Sequence, residues 1–375
     1  MRIVFVSNYI NHHQIPLSEE LYRLTGGEYT FVQTEPMEEE RVKMGWDAGA
    51  VNKPYVKLYY EDKAACDELL MSSDCVIFGG CEDESVIKPR LDAGKFTIRY
   101  SESIYKSGRW KFVSPRGLRR KYQDHVKYRK GPVYLLCAGA HVAGDFKLIH
   151  AYPGKMLKFG YFPEFVEYSD VHELRRGNDC LNILWAGRFV DFKHPERMML
   201  MCSGLKASGV NAKVTIVGNG GKLFEDCVEL ARKLGLGEMV SLAGSKTPAE
   251  VREYMRRADV FVSTSDRGEG WGAVINEAMN SGCVTVGTYE MGAAPYMIED
   301  GENGFLYKAR DIDALCRLVE SVAGDRERRF KMGEKAYETV KGMWNPSVAA
   351  KRLYEFICDP EHDMGRYKEG PLSKA

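Results

Sequence analysis

The chain lacks several features whose absence narrows its class. It has no CxxC pair: its ten cysteines (Cys66, Cys75, Cys81, Cys137, Cys180, Cys202, Cys227, Cys283, Cys316 and Cys358) are scattered, mostly through apolar stretches such as DCVIF and GCVTV. A thiol there behaves as a small hydrophobe, which excludes a disulfide scaffold and points to a reducing compartment. Net charge is also missing, with 53 basic residues against 53 acidic ones. No bulk positive field therefore draws nucleic acid, and none is expected as a partner. No apolar run approaches the roughly 18 residues of a membrane span. The opening MRIVFVSNYINHHQIP has too short an apolar run for a signal peptide and no small-residue cleavage site, so a cytoplasmic location is expected. No GxSxG elbow appears, and the histidines outside Asn8–Gln14 show no metal-ligand spacing. The DxD at Asp311-Ile312-Asp313 reads as a helix start with Ile312 in the core, so no metal site is expected.

What remains is ordinary for a globular protein: 375 residues, 44% hydrophobic and 28% charged. At about 150 residues per domain this suggests two domains or three. Short β-branched runs alternate with amphipathic segments, the signature of parallel α/β architecture. Strands are expected near Arg2–Ser7, Thr30–Gln33, Cys75–Phe78, Phe96–Arg99, Val133–Leu136 and Met156–Phe159. The polar stretch EYSDVHELRRGNDC interrupts the pattern. It restarts with Asn182–Ala186, Lys213–Val217, Val240–Leu242, Val260–Ser263 and Val284–Val286. Helices are expected over Asp62–Met71, over Gly221–Leu234 and after the cap Asp311. The charged tail after Pro360 reads as frayed. Two doubly wound domains place ligands at the carboxyl ends of their strands, in a cleft between them.

The most informative segment, STSDRGEGWGAVINEAMNSG, carries Glu269 in a Gly-rich turn and Glu277 on a helix starting around Gly272. Carboxylates make strong paired hydrogen bonds to adjacent hydroxyls of a sugar or ribose; read alone, the two glutamates are more simply a turn cap and a solvated helix residue. In ILWAGRFVDFKHPE, Gly187, Arg188 and Lys193 follow a strand, an arrangement that suits a phosphate or simply forms a basic loop. KVTIVGNGG sets Gly218, Gly220 and Gly221 after another strand without completing a dinucleotide fingerprint. VSLAGSKTPAEV adds Leu242 and Gly244.

Taken in order, GRFVDFKHPE, VGNGG, LAGSKTPAEV and GEGWGAVINEAMNSG resemble the C-terminal domain of the retaining glycosyltransferases of family 4, with the Glu269-x7-Glu277 spacing of their paired-glutamate motif. The likeness spans 180–358. It implies an α/β GT-B fold of two Rossmann-like doubly wound domains facing a cleft. Residues 1–168, completed by helix 343–358, would form the acceptor domain, and 180–342 the nucleotide-sugar donor domain. It implies Arg188 and Lys193 on the donor diphosphate and Glu269 on the sugar. Glu277 would hold the ribose, and the amides of Gly272, Ala273 and Val274 the phosphates. Gly187 belongs to the same donor site, with the base near Gly218, Leu242 and Gly244. One departure is visible, Gly292-Ala293-Ala294-Pro295-Tyr296, where the family usually ends in an acid. No cofactor beyond a UDP- or GDP-sugar co-substrate is implied.

In the first half, Asn11, His12 and His13 follow the first strand and read either as a diphosphate or acceptor loop or as surface residues. Glu102 reads as an orienting group for the acceptor hydroxyl, in a segment where Ser101 and Ser103 equally read as caps. Residues 106–130 hold ten Lys/Arg and one acid, with Trp110, Phe112, Tyr122 and Tyr128 interleaved. They read as a solvated helix, as a contact to an acidic saccharide, or as a contact to an anionic membrane inner face carrying a lipid-linked acceptor; the last is favoured. A saccharide or lipid-linked acceptor in cell-surface polysaccharide or glycolipid synthesis is expected. A nucleotide-sugar epimerase, a phosphorylase and a non-catalytic nucleotide-sugar-binding subunit are the alternatives.

Overall fold

In a computed structural model that describes residues 1–43, 50–81 and 83–375, the chain folds into two compact units. The first comprises Met1–Glu164 and Met343–Ala375, the second Phe165–Gly342.

The first unit is built on seven parallel strands: β1 (Ile3–Ser7), β2 (Tyr29–Gln33), β3 (Val56–Leu58), β4 (Cys75–Gly79), β5 (Thr97–Ser101), β6 (Val133–Ala138) and β7 (Met156–Phe159). Their order is β3-β2-β1-β4-β5-β6-β7. Every residue of β1, β4 and β6 is buried, as a parallel sheet covered on both faces requires. That is why these strands read as unbroken apolar runs. Val4, Val6, Val76, Phe78, Leu135 and Phe146 share one core cluster. The strand order reverses between β1 and β4, where crossovers leave in opposite directions and a crevice opens. The loop Asn8–Gln14 starts there.

The tail corrects the sequence reading. Instead of fraying, it closes the β7 edge: Leu372 N donates to Lys158 O (2.8 Å), Lys158 N to Ser373 O (2.8 Å) and Ala375 N to Met156 O (3.1 Å). Leu372 and Ser373 are buried. An edge strand offers unpaired backbone groups, and pairing them outweighs the tail's polar composition.

The second unit holds six parallel strands: β8 (Leu181–Ala186), β9 (Ala212–Val217), β10 (Val240–Gly244), β11 (Val260–Val262), β12 (Val284–Thr288) and β13 (Gly304–Tyr307), ordered β10-β9-β8-β11-β12-β13. Its core gathers Ile183, Trp185, Val214, Ile216, Val262, Val286, Leu315 and Val319. Asp311 caps the helix Ile312–Ala323 by accepting from Ala314 N (2.8 Å). Ile312 is only half-buried, because the first turn lies ahead of the packed stripe. The polar stretch 167–180 belongs to this unit. Arg175, 1% exposed, sends its guanidinium to the carbonyls of Met255 (3.0 Å), Arg256 (3.1 Å), Ser281 (2.8 Å) and Gly282. These carbonyls lie at or just past the C-terminal ends of the helices Pro248–Arg257 and Val274–Asn280, where backbone C=O groups run short of helical partners.

Candidate active site

The second sheet reverses order between β8 and β11, and the loops after these two strands carry the site. The β8 loop runs Gly187–His194. Gly187 leaves room for the lysine: a Cβ there would stand 3.0 Å from Lys193 Cδ and 3.3 Å from the Trp185 ring. Gly218, at φ 141°, would place a Cβ 1.9 Å from Gly187 O, so only glycine lets the β8 and β9 loops approach this closely. Gly218 N then donates to Gly244 O (2.9 Å), and Leu242 stands half-buried on β10.

Lys193 ends a short turn, Asp191–Lys193, and its Nζ meets the Glu269 carboxylate. The two side chains are 12% and 15% exposed. Ser265 Oγ donates to the same Glu269 oxygen (3.2 Å). Behind the pair, Trp185 Nε1 donates to Thr264 Oγ1 (2.9 Å), whose hydroxyl donates to Lys193 O (2.6 Å). Arg188, on the same loop, is exposed and makes no ion pair among the described residues. The result is one neutralised cation and one open cation at the carboxyl end of a parallel sheet.

Gly272 adopts φ 90°, and a Cβ there would lie 2.4 Å from Met291 Cε and 3.2 Å from Glu269 Cγ. The helix that was expected from Gly272 starts at Val274, with Ala273 as its cap. The positive φ of Gly272 turns the chain before helical geometry begins. The amides of Gly272, Ala273 and Val274 thus precede the first helical bonds, Ile275 N to Gly272 O (3.0 Å) and Glu277 N to Ala273 O (3.2 Å). Glu277 is the fourth residue of that helix and half-buried. Burial pushes its carboxyl up to about 7, against the pull of Arg252. Tyr296 stands half-buried with its ring 6.2 Å from that of Trp271.

In the first unit, Asn11 stops the β1 loop: its carbonyl accepts from Gln14 N (2.8 Å) and Ile15 N (3.0 Å), and its side chain from His13 N (2.9 Å). The rings of His12 and His13 lie 3.8 Å apart. Glu102 accepts from Tyr161 OH (2.5 Å) and pairs with Lys106. Ser103 donates to the buried Asp145 rather than capping a helix. In the basic segment, Lys127 pairs with Asp92 (2.9 Å), and Asp124 with Lys88 (3.0 Å) and Arg120 (3.5 Å). Trp110, Val113, Leu118 and Tyr122 are exposed there. No helix among the described residues is long and apolar enough to cross a membrane.

Sequence reasoning brought Gly187, Lys193, Glu269 and Gly272 to one place. It passed over the residues behind them: Trp185, Thr264, His194 and Asp266. The spacing of these polar groups carried no motif, and only the strand order makes them neighbours.

The family described as glycosyl transferases group 1 matches residues 170–339. That match spans nearly all of the second unit, Phe165–Gly342. Its β8 and β11 loops are the part of the fold that carries the pair described above. A D-inositol 3-phosphate glycosyltransferase of Corynebacterium kroppenstedtii is 33% identical over 146 residues, covering 38% of this chain and 30% of the relative. A GDP-mannose-dependent alpha-(1-6)-phosphatidylinositol monomannoside mannosyltransferase of Mycobacterium tuberculosis is 27% identical over 201 residues, 52% of each chain. The chain thus spans about half or less of the length of these relatives. Among solved structures, Anabaena HepE in complex with UDP and glucose superposes with TM-score 0.71 at 14% identity, covering 96% of this chain and 100% of that one. The two parallel Rossmann-like sheets are those of the GT-B fold.

Proposed function

We propose that the chain is a glycosyltransferase that moves a sugar from a UDP- or GDP-sugar to a hydroxyl of a saccharide or lipid-linked acceptor, with retention of anomeric configuration and without a metal ion. The observation that carries this reading is the Lys193–Glu269 pair, with Arg188 open beside it, at the order reversal of the group 1 domain. Negative charge grows on the diphosphate as the sugar departs. Fixed cations aimed at that charge stabilise the transition state more than the ground state. Lys193 and Arg188 supply them, together with the amides of Gly272, Ala273 and Val274. Donor arrival draws Lys193 from Glu269 to phosphate and leaves that carboxylate to accept from sugar hydroxyls. Glu277 accepts from the ribose, and the base lies against Gly218, Leu242 and Gly244. The acceptor hydroxyl attacks from the face the diphosphate leaves, so no protein nucleophile is needed.

The acceptor belongs to the first unit, with Asn11, His12, His13 and Glu102 as its contacts. The anionic inner face of a membrane is the partner proposed for residues 106–130, where exposed Trp110, Val113, Leu118 and Tyr122 interleave with cations as interfacial segments require. Cell-surface polysaccharide or glycolipid assembly is the setting. The M. tuberculosis relative's name supplies GDP-mannose as one donor class, and the UDP bound to HepE supplies the other.

A thermal-shift panel of UDP, GDP, ADP and TDP with their common sugars tests the reading. One nucleotide is expected to stabilise the protein selectively, and Arg188→Ala to abolish the shift. Binding without hydrolysis or transfer instead assigns a non-catalytic subunit, and no shift with any nucleotide refutes the donor site.

A further inference from the structure

The residue after Lys193 has no part in the chemistry above, yet its side chain is held at both ring nitrogens. His194 holds a left-handed backbone (φ 47°), which few side chains adopt freely and which histidine tolerates better than most. Its two ring nitrogens are both engaged: Nδ1 lies 2.9 Å from Glu196 Oε1, and Nε2 lies 2.9 Å from Asp266 Oδ2. Glu196 opens the helix that follows the β8 loop, whereas Asp266 belongs to the β11 loop. Asp266 is itself built in, with its N donating to Phe192 O (2.8 Å) and its Oδ1 accepting from Gly268 N (2.8 Å). Gly268 has no Cβ, and one there would stand 2.4 Å from Phe192 Cβ, so the two loops are packed as closely as glycine permits. The imidazole therefore straps the loop that carries Lys193 to the loop that carries Glu269.

A lysine has a long, flexible stem, and Gly187 leaves just enough room for it, a Cβ at 187 standing 3.0 Å from Lys193 Cδ. Nζ is held at its tip by Glu269 and at its root by the backbone at 193, which Thr264 fixes on one side and this ring on the other. We propose that His194 is a positioning residue for the donor diphosphate: it holds the two loops in register so that Lys193 Nζ, once drawn from Glu269, meets the phosphate where its charge develops. This rests on the donor-site reading given above.

The discriminating readout is the preference for a nucleoside diphosphate over its monophosphate, because only the diphosphate reaches Lys193. His194→Asn suits the test, since asparagine accepts the left-handed backbone but cannot span both carboxylates. Titration calorimetry with UDP against UMP, and GDP against GMP, is expected to show a strong diphosphate preference in the wild type. In His194→Asn that preference should fall on the order of tenfold, with monophosphate affinity and thermal midpoint unchanged. Asp266→Asn, which removes the far end of the strap, should lower the same ratio. In Lys193→Met, adding His194→Asn should change nothing further. An unchanged ratio in both single variants overturns the proposal. So does equal loss of monophosphate and diphosphate affinity, which marks a scaffold role. A wild type that binds nucleotide without preferring diphosphate overturns the donor-site reading itself.

Discussion

Lys193 and Glu269 lie 76 residues apart in the chain and form an ion pair at the carboxyl ends of β8 and β11, each side chain nearly sealed from solvent. Neither residue predicts the other locally. The parallel order of the second sheet brings their loops together.

Removing one partner strands the other. Lys193→Met leaves a nearly buried carboxylate without its cation, at a cost of about 1–3 kcal/mol in denaturant unfolding. Glycosyl transfer should fall by roughly 10²–10³, the usual penalty for deleting one transition-state charge contact. The double variant Lys193→Met/Glu269→Gln should regain most of the stability and none of the activity. Recovery of activity along with stability would show that the pair serves the fold alone.

With Glu277 proposed on the ribose, donor binding is expected to depend on pH. Burial raises its carboxyl to about 7, so the charged form that the proposed ribose contact needs predominates only above that value. Nucleotide affinity is expected to weaken as pH falls from 8 to 6, and Glu277→Gln to flatten the curve. For folding the sign reverses. The folded state binds this proton more tightly than the unfolded chain, so the stabilising contribution is full below about 4.5 and lost as pH rises through about 7. A wild-type binding curve that is flat across this range refutes the assignment.

Arg175 is a structural cation. Arg175→Met takes the guanidinium donor from the carbonyls of Arg256, Ser281 and Gly282 in a buried site, whereas Met255 O keeps Ala258 N (3.2 Å) and Cys283 Sγ (3.1 Å). Each unsatisfied group costs about 1–3 kcal/mol before relaxation. A loss of at least roughly 3 kcal/mol is expected in urea unfolding of the second unit, and a loss under 1 kcal/mol contradicts this role.

Gly218→Ala and Gly301→Ala form a matched pair. Both glycines have positive φ, 141° and 81°. A Cβ at 218 meets Gly187 O at 1.9 Å, whereas one at 301 meets nothing within 4 Å. The change at 301 should cost about 1 kcal/mol of strain, and the change at 218 several times that, together with nucleotide binding.

Much of this fold was legible because buried parallel strands are written as apolar runs: VIF of β4 and VTV of β12 need no context. Two strands were not. The three residues of β3, Val56–Leu58, sit half-exposed at an edge with a lysine at the centre, and β13 opens on Gly304, a poor strand former. The tail's pairing was invisible because it depends on backbone groups, which no side-chain pattern reports. The site divides the same way. Glycines and charges after strands could be read locally, whereas the Trp185–Thr264–Lys193 chain and the His194 strap exist only once β8 and β11 are neighbours.

The most direct measurement follows a panel of UDP- and GDP-sugars by proton NMR with the purified protein. One donor is expected to be consumed, releasing its nucleoside diphosphate and a sugar product that first appears with the donor's own anomeric configuration, and Lys193→Met should stop this. A product of inverted configuration would contradict retention, and no turnover of any donor, with or without a saccharide acceptor, would contradict the account of this chain as a glycosyltransferase.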